Sequence, residues 1–258
     1  MNWVRIILKT LALTVVCTLT YLAAALGAVA VGLWGRLAGR PRASDDWKAR
    51  VFRRSSRFIS RIIGIDVVVT GEPPEAPFVL VSNHLSYVDV ILIGSQVRCV
   101  FISKADVEGW PLIGPLVRSV GTLFIDREAK RDLPEVVRRM EDVLESGRGV
   151  VFFPEGTTGR GDRVARFRPS LLAPAARSKR PVHYAALSYR TRQECLPADR
   201  AICWWGDMKF GAHFLQLLAM PGFDASLTFG KEPIREDDRK LLAMRLHREI
   251  EQRFEAVR

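Results

Sequence analysis

The segment Asn83-His84-Leu85-Ser86-Tyr87-Val88-Asp89 places an imidazole and a carboxylate five residues apart, directly after the apolar run Phe78-Val79-Leu80-Val81-Ser82. A carboxylate that holds one imidazole nitrogen fixes the tautomer and leaves the other nitrogen as a general base. On one continuous helix, positions five apart point about 140° from each other, so the pair meets only across a bend. With Ser86 as a helix N-cap, Asp89 falls in the first helical turn and His84 lies just outside it, free to fold back. The same residues also spell an ordinary capping box, Ser86-x-x-Asp89, in which the histidine is only a turn residue. On these residues alone both readings stand.

Two further apolar runs end in groups suited to anionic ligands. Val120 to Asp126 leads into Arg127, whose planar fork of donors matches a phosphate, or else forms a surface ion pair with Asp126 or Glu128. Val150-Val-Phe-Phe-Pro-Glu155 runs into Gly156, Gly159 and Gly161. Glycines expose backbone amides that can cradle phosphate oxygens. The loop lacks the Lys-Ser/Thr ending of a P-loop and the spacing of a dinucleotide fingerprint, so by itself it marks a tight turn.

The elements that must position these groups follow an α/β pattern. From residue 64 on, IDVVVT, FVLVS, CVFIS, TLFID, VVFFP, VHYAALSY and ASLTF read as strands separated by helical periodicity. The clearest helix starts near Asp132, with Pro134 in its first turn, apolar residues up to Leu144 and Gly147 at the C-terminal cap position. Leu242, Leu246, Ile250 and Phe254 recur every four residues and predict an amphipathic closing helix over 237–257. With 258 residues and 48% apolar content, the chain can bury the core of one sizeable domain. The four cysteines form no CxxC pair and stand at no zinc-ligand spacing with histidine, so neither a disulfide framework nor a metal site is expected. A reducing compartment fits them.

Between Lys9 and Arg36 lie 26 uncharged residues, more than the roughly 20 that a helix needs to cross the hydrocarbon core. A secretory h-region is shorter, although Ala28-x-Ala30 matches a cleavage site, and a soluble core helix shows a polar face. Membrane attachment is the expected reading. The basic run from Arg36 to Arg61, opposed only by Asp45 and Asp46, predicts a chain held on the cytoplasmic face of the inner membrane. It also attracts anionic headgroups, at about 1 kcal/mol per basic residue near the surface. Val51, Phe52, Phe58, Ile59, Ile62 and Ile63 let the same run form an amphipathic helix. Whether residues 10–35 cross once or turn back at Gly27, Gly32 or Gly35 is open. The organisation expected is a membrane segment and basic helix over 1–62, then an enzyme domain over 63–258. The net charge of +11 selects anionic partners, and no RNP-like, zinc-finger or basic-zipper pattern points to nucleic acid.

Taken in order, NHLSYVD (83–89), FIDR (124–127) and FPEGTT (153–158), followed by Pro181-Val182, resemble the blocks of the glycerolipid acyltransferase family. The bacterial 1-acylglycerol-3-phosphate acyltransferases are the most similar members. Three blocks in order carry the resemblance where none does singly. With the strand pattern it implies an α/β fold, a mixed and largely parallel central sheet flanked by helices, behind an N-terminal membrane-embedded helical segment. The implied reaction is transfer of a fatty acyl group from acyl-CoA or acyl carrier protein to the sn-2 hydroxyl of a lysophospholipid. The first expected acceptor is 1-acyl-sn-glycerol-3-phosphate, giving phosphatidic acid. By this resemblance His84 is the base and Asp89 its orienting partner, and Arg127, Glu155, Gly156 and Thr157 fall where the family binds the phosphate-bearing acceptor. Lys104, and Asn83 at the strand end, are further candidates for that task. No G-x-S-x-G elbow occurs, so the nucleophile is expected to be the acceptor's own alcohol. A thioester is already activated, and no metal or other cofactor is expected.

Three departures bear on the acceptor. Thr158 stands where the family usually has arginine after Glu-Gly-Thr, the nearest arginine being Arg160. Phe167-Arg168-Pro169-Ser170 replaces a Phe-Lys-x-Gly pattern, and Arg180 precedes Pro181 where an apolar residue is common. They leave room for another lyso-lipid, such as a lyso-ornithine lipid. The rival from a different class is a non-catalytic membrane protein that binds anionic lipid, each polar strand end capping a turn. Trp110-Pro111-Leu112-Ile113-Gly114 and Trp204-Trp205 are either interfacial anchors or core aromatics.

Overall fold

Apolar runs of four to nine residues, rich in Val, Ile and Phe, suit strands covered on both faces. The computed structural model describes residues 2–40, 42–110, 113–125, 133–192 and 195–257. Two helices, α1 (Trp3–Leu37) and α2 (Ala43–Ile63), come first. There follow β1 (Ile65–Thr70), β2 (Val79–Ser82), α3 (Val88–Gln96), β3 (Cys99–Lys104), a 3-10 turn (Ala105–Gly109), α4 (Ile113–Ser119), β4 (Leu123–Ile125) and α5 (Leu133–Glu145). The remainder is β5 (Gly149–Phe152), α6 (Pro169–Ser178), β6 (Val182–Arg190), α7 (Ala198–Ala201), α8 (Phe210–Ala219), β7 (Phe223–Phe229) and α9 (Arg239–Glu251). Each of the seven runs predicted as strands forms one.

The strands make a single sheet in the order β1-β7-β6-β2-β5-β3-β4. Every pairing is parallel except that of β6 with β7, so the sheet is mixed and largely parallel, as expected. Successive side chains point to opposite faces. Leu80 and Val151 therefore pack with Phe52 of α2 and Leu92 of α3, while Val79, Val81 and Val150 pack with Met140, Leu172 and Leu246 of α5, α6 and α9. β2 lies between β5 and β6, which brings the ends of the first and third polar blocks to neighbouring strands.

α9 begins at Asp238, whose carboxylate accepts the Lys240 and Leu241 N–H groups at 2.7 and 3.0 Å. It stops at Glu251, earlier than the periodicity suggests. The tail leaves the helix because its main chain finds other partners: Val257 N–H donates to Gly161 O at 2.9 Å, and Ser188 Oγ donates to Glu255 O. Phe254 still packs against both faces' cores.

Residues 10–35 belong to one unbroken helix. Gly27 does not turn the chain back; it admits the Trp47 indole, whose Nε1 would lie 2.3 Å from a Cβ there and whose N–H donates to Ala23 O at 2.8 Å. The chain turns beyond Leu37, and α2 runs back along α1, with Thr20 Oγ1 donating to Ser55 Oγ at 2.6 Å in the buried seam. Gly64, at φ 88°, ends α2 in a left-handed conformation and feeds β1 at once. Among the described residues α1 is the one helix long and apolar enough to cross a membrane. Its outer face, including Leu11, Val15, Leu19, Leu26 and Val29, is exposed.

Candidate active site

β2 stops at Ser82, and a bend over 83–87 precedes α3, which begins within one residue of the start that a Ser86 cap implies. The bend brings His84 Nδ1 to 2.7 Å from Asp89 Oδ2. That oxygen also accepts the main-chain N–H groups of Leu85 at 2.7 Å and Ser86 at 3.0 Å, and Oδ1 accepts the Tyr189 hydroxyl at 2.6 Å. The Asp89 half of the capping box and the His–Asp pair are thus one structure, since the carboxylate that secures the turn also holds the imidazole, while Ser86 Oγ accepts from Val88 N–H at 3.4 Å. Asp89 is fully buried, and these donors replace the water it has lost. Burial pushes the Tyr189 phenol well above its ordinary range, so it stays protonated and donating.

With Nδ1–H turned to the carboxylate, Nε2 keeps its lone pair, and it has no hydrogen-bond partner among the described residues. The ring stacks on Phe153, centroids 3.9 Å apart and planes 5° apart, and its side chain is 19% exposed. An immobilised, partly exposed imidazole with one nitrogen unpartnered among the described residues, outside the carboxyl ends of parallel strands, is suited to remove a proton from a bound hydroxyl.

Two residues expected to meet the acceptor are enclosed and bonded to main chain. Asn83 is fully buried; its Nδ2 donates to Leu187 O at 3.0 Å and its Oδ1 accepts Leu187 N–H at 2.7 Å, which continues the β2–β6 ladder past the end of β2. Glu155 is 3% exposed; Oε1 accepts His84 N–H at 2.7 Å and Oε2 accepts Ala165 N–H at 3.1 Å. Burial pushes its carboxyl up to about 8, although both N–H bonds act the other way. A headgroup phosphate needs donors at the surface, and these two side chains are enclosed with their polar atoms held by main chain.

Gly156, at φ 81°, and the exposed Thr157 form the loop after β5. The Arg168 side chain lies across Gly156, its Nε 3.1 Å from where a Cβ would stand, and makes no ion pair among the described residues. Arg160 is neutralised: Nη2 lies 3.0 Å from Asp199 Oδ2, and the guanidinium is 5.4 Å from the Trp205 ring centroid. Lys104 ends β3, two strands from β2, exposed and paired with Asp106. Arg127 lies outside the described residues. Trp110 and Trp204 meet edge-to-face at 5.8 Å in a half-buried aromatic cluster with Tyr87 and Phe210, while Trp205 packs against the core.

Sequence reasoning missed Tyr189 and Phe153 as the stacking surface, and it offered the Gly159 amide to a phosphate, whereas that N–H donates to His84 O at 2.8 Å. No spacing marks Tyr189, which follows Asp89 by 100 residues and meets it through the tertiary fold alone.

Residues 64–188 match the family model described as Acyltransferase. The chain is 37% identical to the lyso-ornithine lipid O-acyltransferase of Pseudomonas aeruginosa over 172 residues, 64% of this chain and 66% of that protein. To the Rhizobium meliloti protein of the same name it is 30% identical over 220 residues, 78% of this chain and 75% of that one. The matched stretch therefore spans about two thirds to three quarters of these relatives. The crystal structure of the 1-acyl-sn-glycerophosphate acyltransferase PlsC from Thermotoga maritima shares the fold, with a TM-score of 0.65 at 21% identity, over 98% of this chain and 97% of that one.

Proposed function

We propose, for a chain that belongs to the acyltransferase family, that it transfers a fatty acyl group from a thioester to the free hydroxyl of a lyso-ornithine lipid at a membrane surface. The observation that carries the reaction is the free Nε2 of an imidazole fixed by the buried Asp89. Nε2 takes the hydroxyl proton as the oxygen attacks the thioester carbonyl. The tetrahedral species then collapses, the C–S bond breaks, and the imidazolium returns the proton to the departing thiolate. Asp89 stabilises the imidazolium in between. Acyl-CoA and acyl carrier protein both present such thioesters, and both are anionic, which suits a chain of charge +11.

The sequence put 1-acyl-sn-glycerol-3-phosphate first among acceptors. Two things support the reverse order: the names of the two relatives, and the ion pair that Arg160, in the loop after β5, makes with Asp199. An ornithine headgroup presents a carboxylate and an ammonium, and the Arg160–Asp199 pair offers a complement to each. The phosphate acceptor is the second reading, favoured by Arg168 over Gly156, which makes no ion pair among the described residues. Purified protein in detergent, given a long-chain acyl-CoA or acyl carrier protein with both lyso-lipids at equal concentration, is expected to acylate the lyso-ornithine lipid at least about tenfold faster by mass spectrometry. Faster formation of phosphatidic acid selects the second reading. No product from either acceptor, with vesicle binding retained, selects the non-catalytic lipid-binding protein.

We further propose that α1 attaches the enzyme by lying along one leaflet. At 35 residues α1 is about 52 Å long, against a hydrocarbon core of about 30 Å. A straight crossing would also draw in α2, which packs along α1 and carries Arg50, Arg53, Arg54, Arg57 and Arg61. Each charge at the bilayer centre is unfavourable by about 2.5–3.5 kcal/mol. Lying in the interface keeps the arginines among headgroups. In flotation with anionic vesicles the wild-type chain is expected to rise with the lipid and L19K/L22K, at exposed positions, to stay behind. Protease added outside closed vesicles is expected to reach both chain ends. Equal flotation of the two proteins rejects the attachment, and a protected end rejects the in-plane geometry.

A further inference from the structure

We infer that Glu155 is a positioning residue for the base, acting through the main chain of His84 and not on the acceptor. The inference rests on His84 being the base.

The histidine sits on a bend between β2 and α3, where no strand or helix ladder holds its peptide groups, and buried main-chain groups need partners. Both of its own are taken by the loop after β5. Glu155 Oε1 accepts the His84 N–H at 2.7 Å, and Gly159 N–H donates to the His84 carbonyl at 2.8 Å. The other oxygen of Glu155 accepts Ala165 N–H at 3.1 Å, so the same side chain closes the loop on itself while gripping the bend. A Cβ at Gly159 would lie 3.7 Å from both Glu155 Oε2 and His84 O, which shows how closely the two segments meet. The ring is then held at both ends, its backbone by Glu155 and Gly159 and its Nδ1 by Asp89. With the side chain enclosed and its carboxyl pushed up by burial to about 8, Glu155 offers an anionic headgroup neither access nor positive charge. Displacing a reacting group by about 1 Å can lower a rate about 10²-fold, so a loosened backbone is expected to appear in kcat.

The test is steady-state kinetics of the full chain in detergent, with acceptor and donor varied separately, for E155A, E155Q, E155D and H84A. In E155A kcat is expected to fall about 10–100-fold with both KM values within about twofold of wild type. E155Q keeps an amide oxygen for the His84 N–H, although its NH₂ no longer accepts from Ala165, and is expected to hold kcat at least about threefold above that of E155A. E155D retains the carboxyl on a stem one methylene shorter, and is expected to lose kcat as the alanine variant does, with faster amide exchange in the peptide that contains His84. If E155A does not fold, E155D carries the test. A raised acceptor KM with kcat preserved, or wild-type kcat in E155A or E155D, overturns the inference while H84A stays inactive. Wild-type turnover by H84A overturns the base reading itself, and this inference with it.

Discussion

H84A is expected to retain the fold and to lose about 10²–10⁴-fold in kcat, the contribution usual for a positioned general base. The variant leaves Asp89 with three of its four donors, Leu85 N–H, Ser86 N–H and the Tyr189 hydroxyl, so the bend keeps its internal bonds. What disappears is the basic nitrogen Nε2, unpartnered among the described residues, together with the stack on Phe153. Acceptor and donor KM values are expected to change little, since the imidazole acts on a single proton. The measurement is thioester consumption beside a thermal melt of the same sample. Equal consumption by H84A and wild type would falsify the base assignment whatever the melt shows.

Asp89 is expected to give the largest combined effect, because one carboxylate performs two tasks. In D89N the amide oxygen takes the place of Oδ2, where it can still accept from His84 Nδ1, Leu85 N–H and Ser86 N–H, and the NH₂ turns to the Tyr189 oxygen. What is lost is the negative charge that stabilises the imidazolium. That loss is expected to lower kcat about 10²–10⁴-fold. D89A also removes the shared acceptor for Leu85, Ser86 and Tyr189 inside a fully buried site, an expected loss of about 3–5 kcal/mol. For a chain of this size that corresponds to a fall in Tm on the order of 10 °C. The two variants separate the tasks. A folded D89N with wild-type kcat would leave the carboxylate only the cap of a turn, and the capping-box reading of Ser86-x-x-Asp89 would be sufficient.

The coincidence of cap and His–Asp pair explains why residues 83–89 read two ways. A capping box and an imidazole clamp need the same acceptor at the same place, and nothing within seven residues distinguishes them. The distinction comes from partners that the fold delivers: Tyr189, 100 residues from Asp89, and Glu155, 71 residues from His84. Glu155 is the sharper case. Its neighbours Gly156 and Thr157 made a surface phosphate site the natural expectation, yet the loop turns the carboxyl inward onto the bend.

The sequence by itself determined the strands, the mixed α/β class, the long apolar helix and the block in which His84 and Asp89 meet, because each depends on periodicity or spacing over a few residues. Hydrophobic period and turn chemistry act locally, and are legible for that reason. Only the tertiary structure decided the strand order, and with it which polar strand ends are neighbours. β2 between β5 and β6 puts Asn83 on Leu187 and Glu155 on His84, while Lys104 is left two strands away. It also decided that Gly27 opens a seam for Trp47 where a turn had been possible. These contacts join segments far apart in the chain, and they are set by how covered faces pack together, which no local pattern encodes.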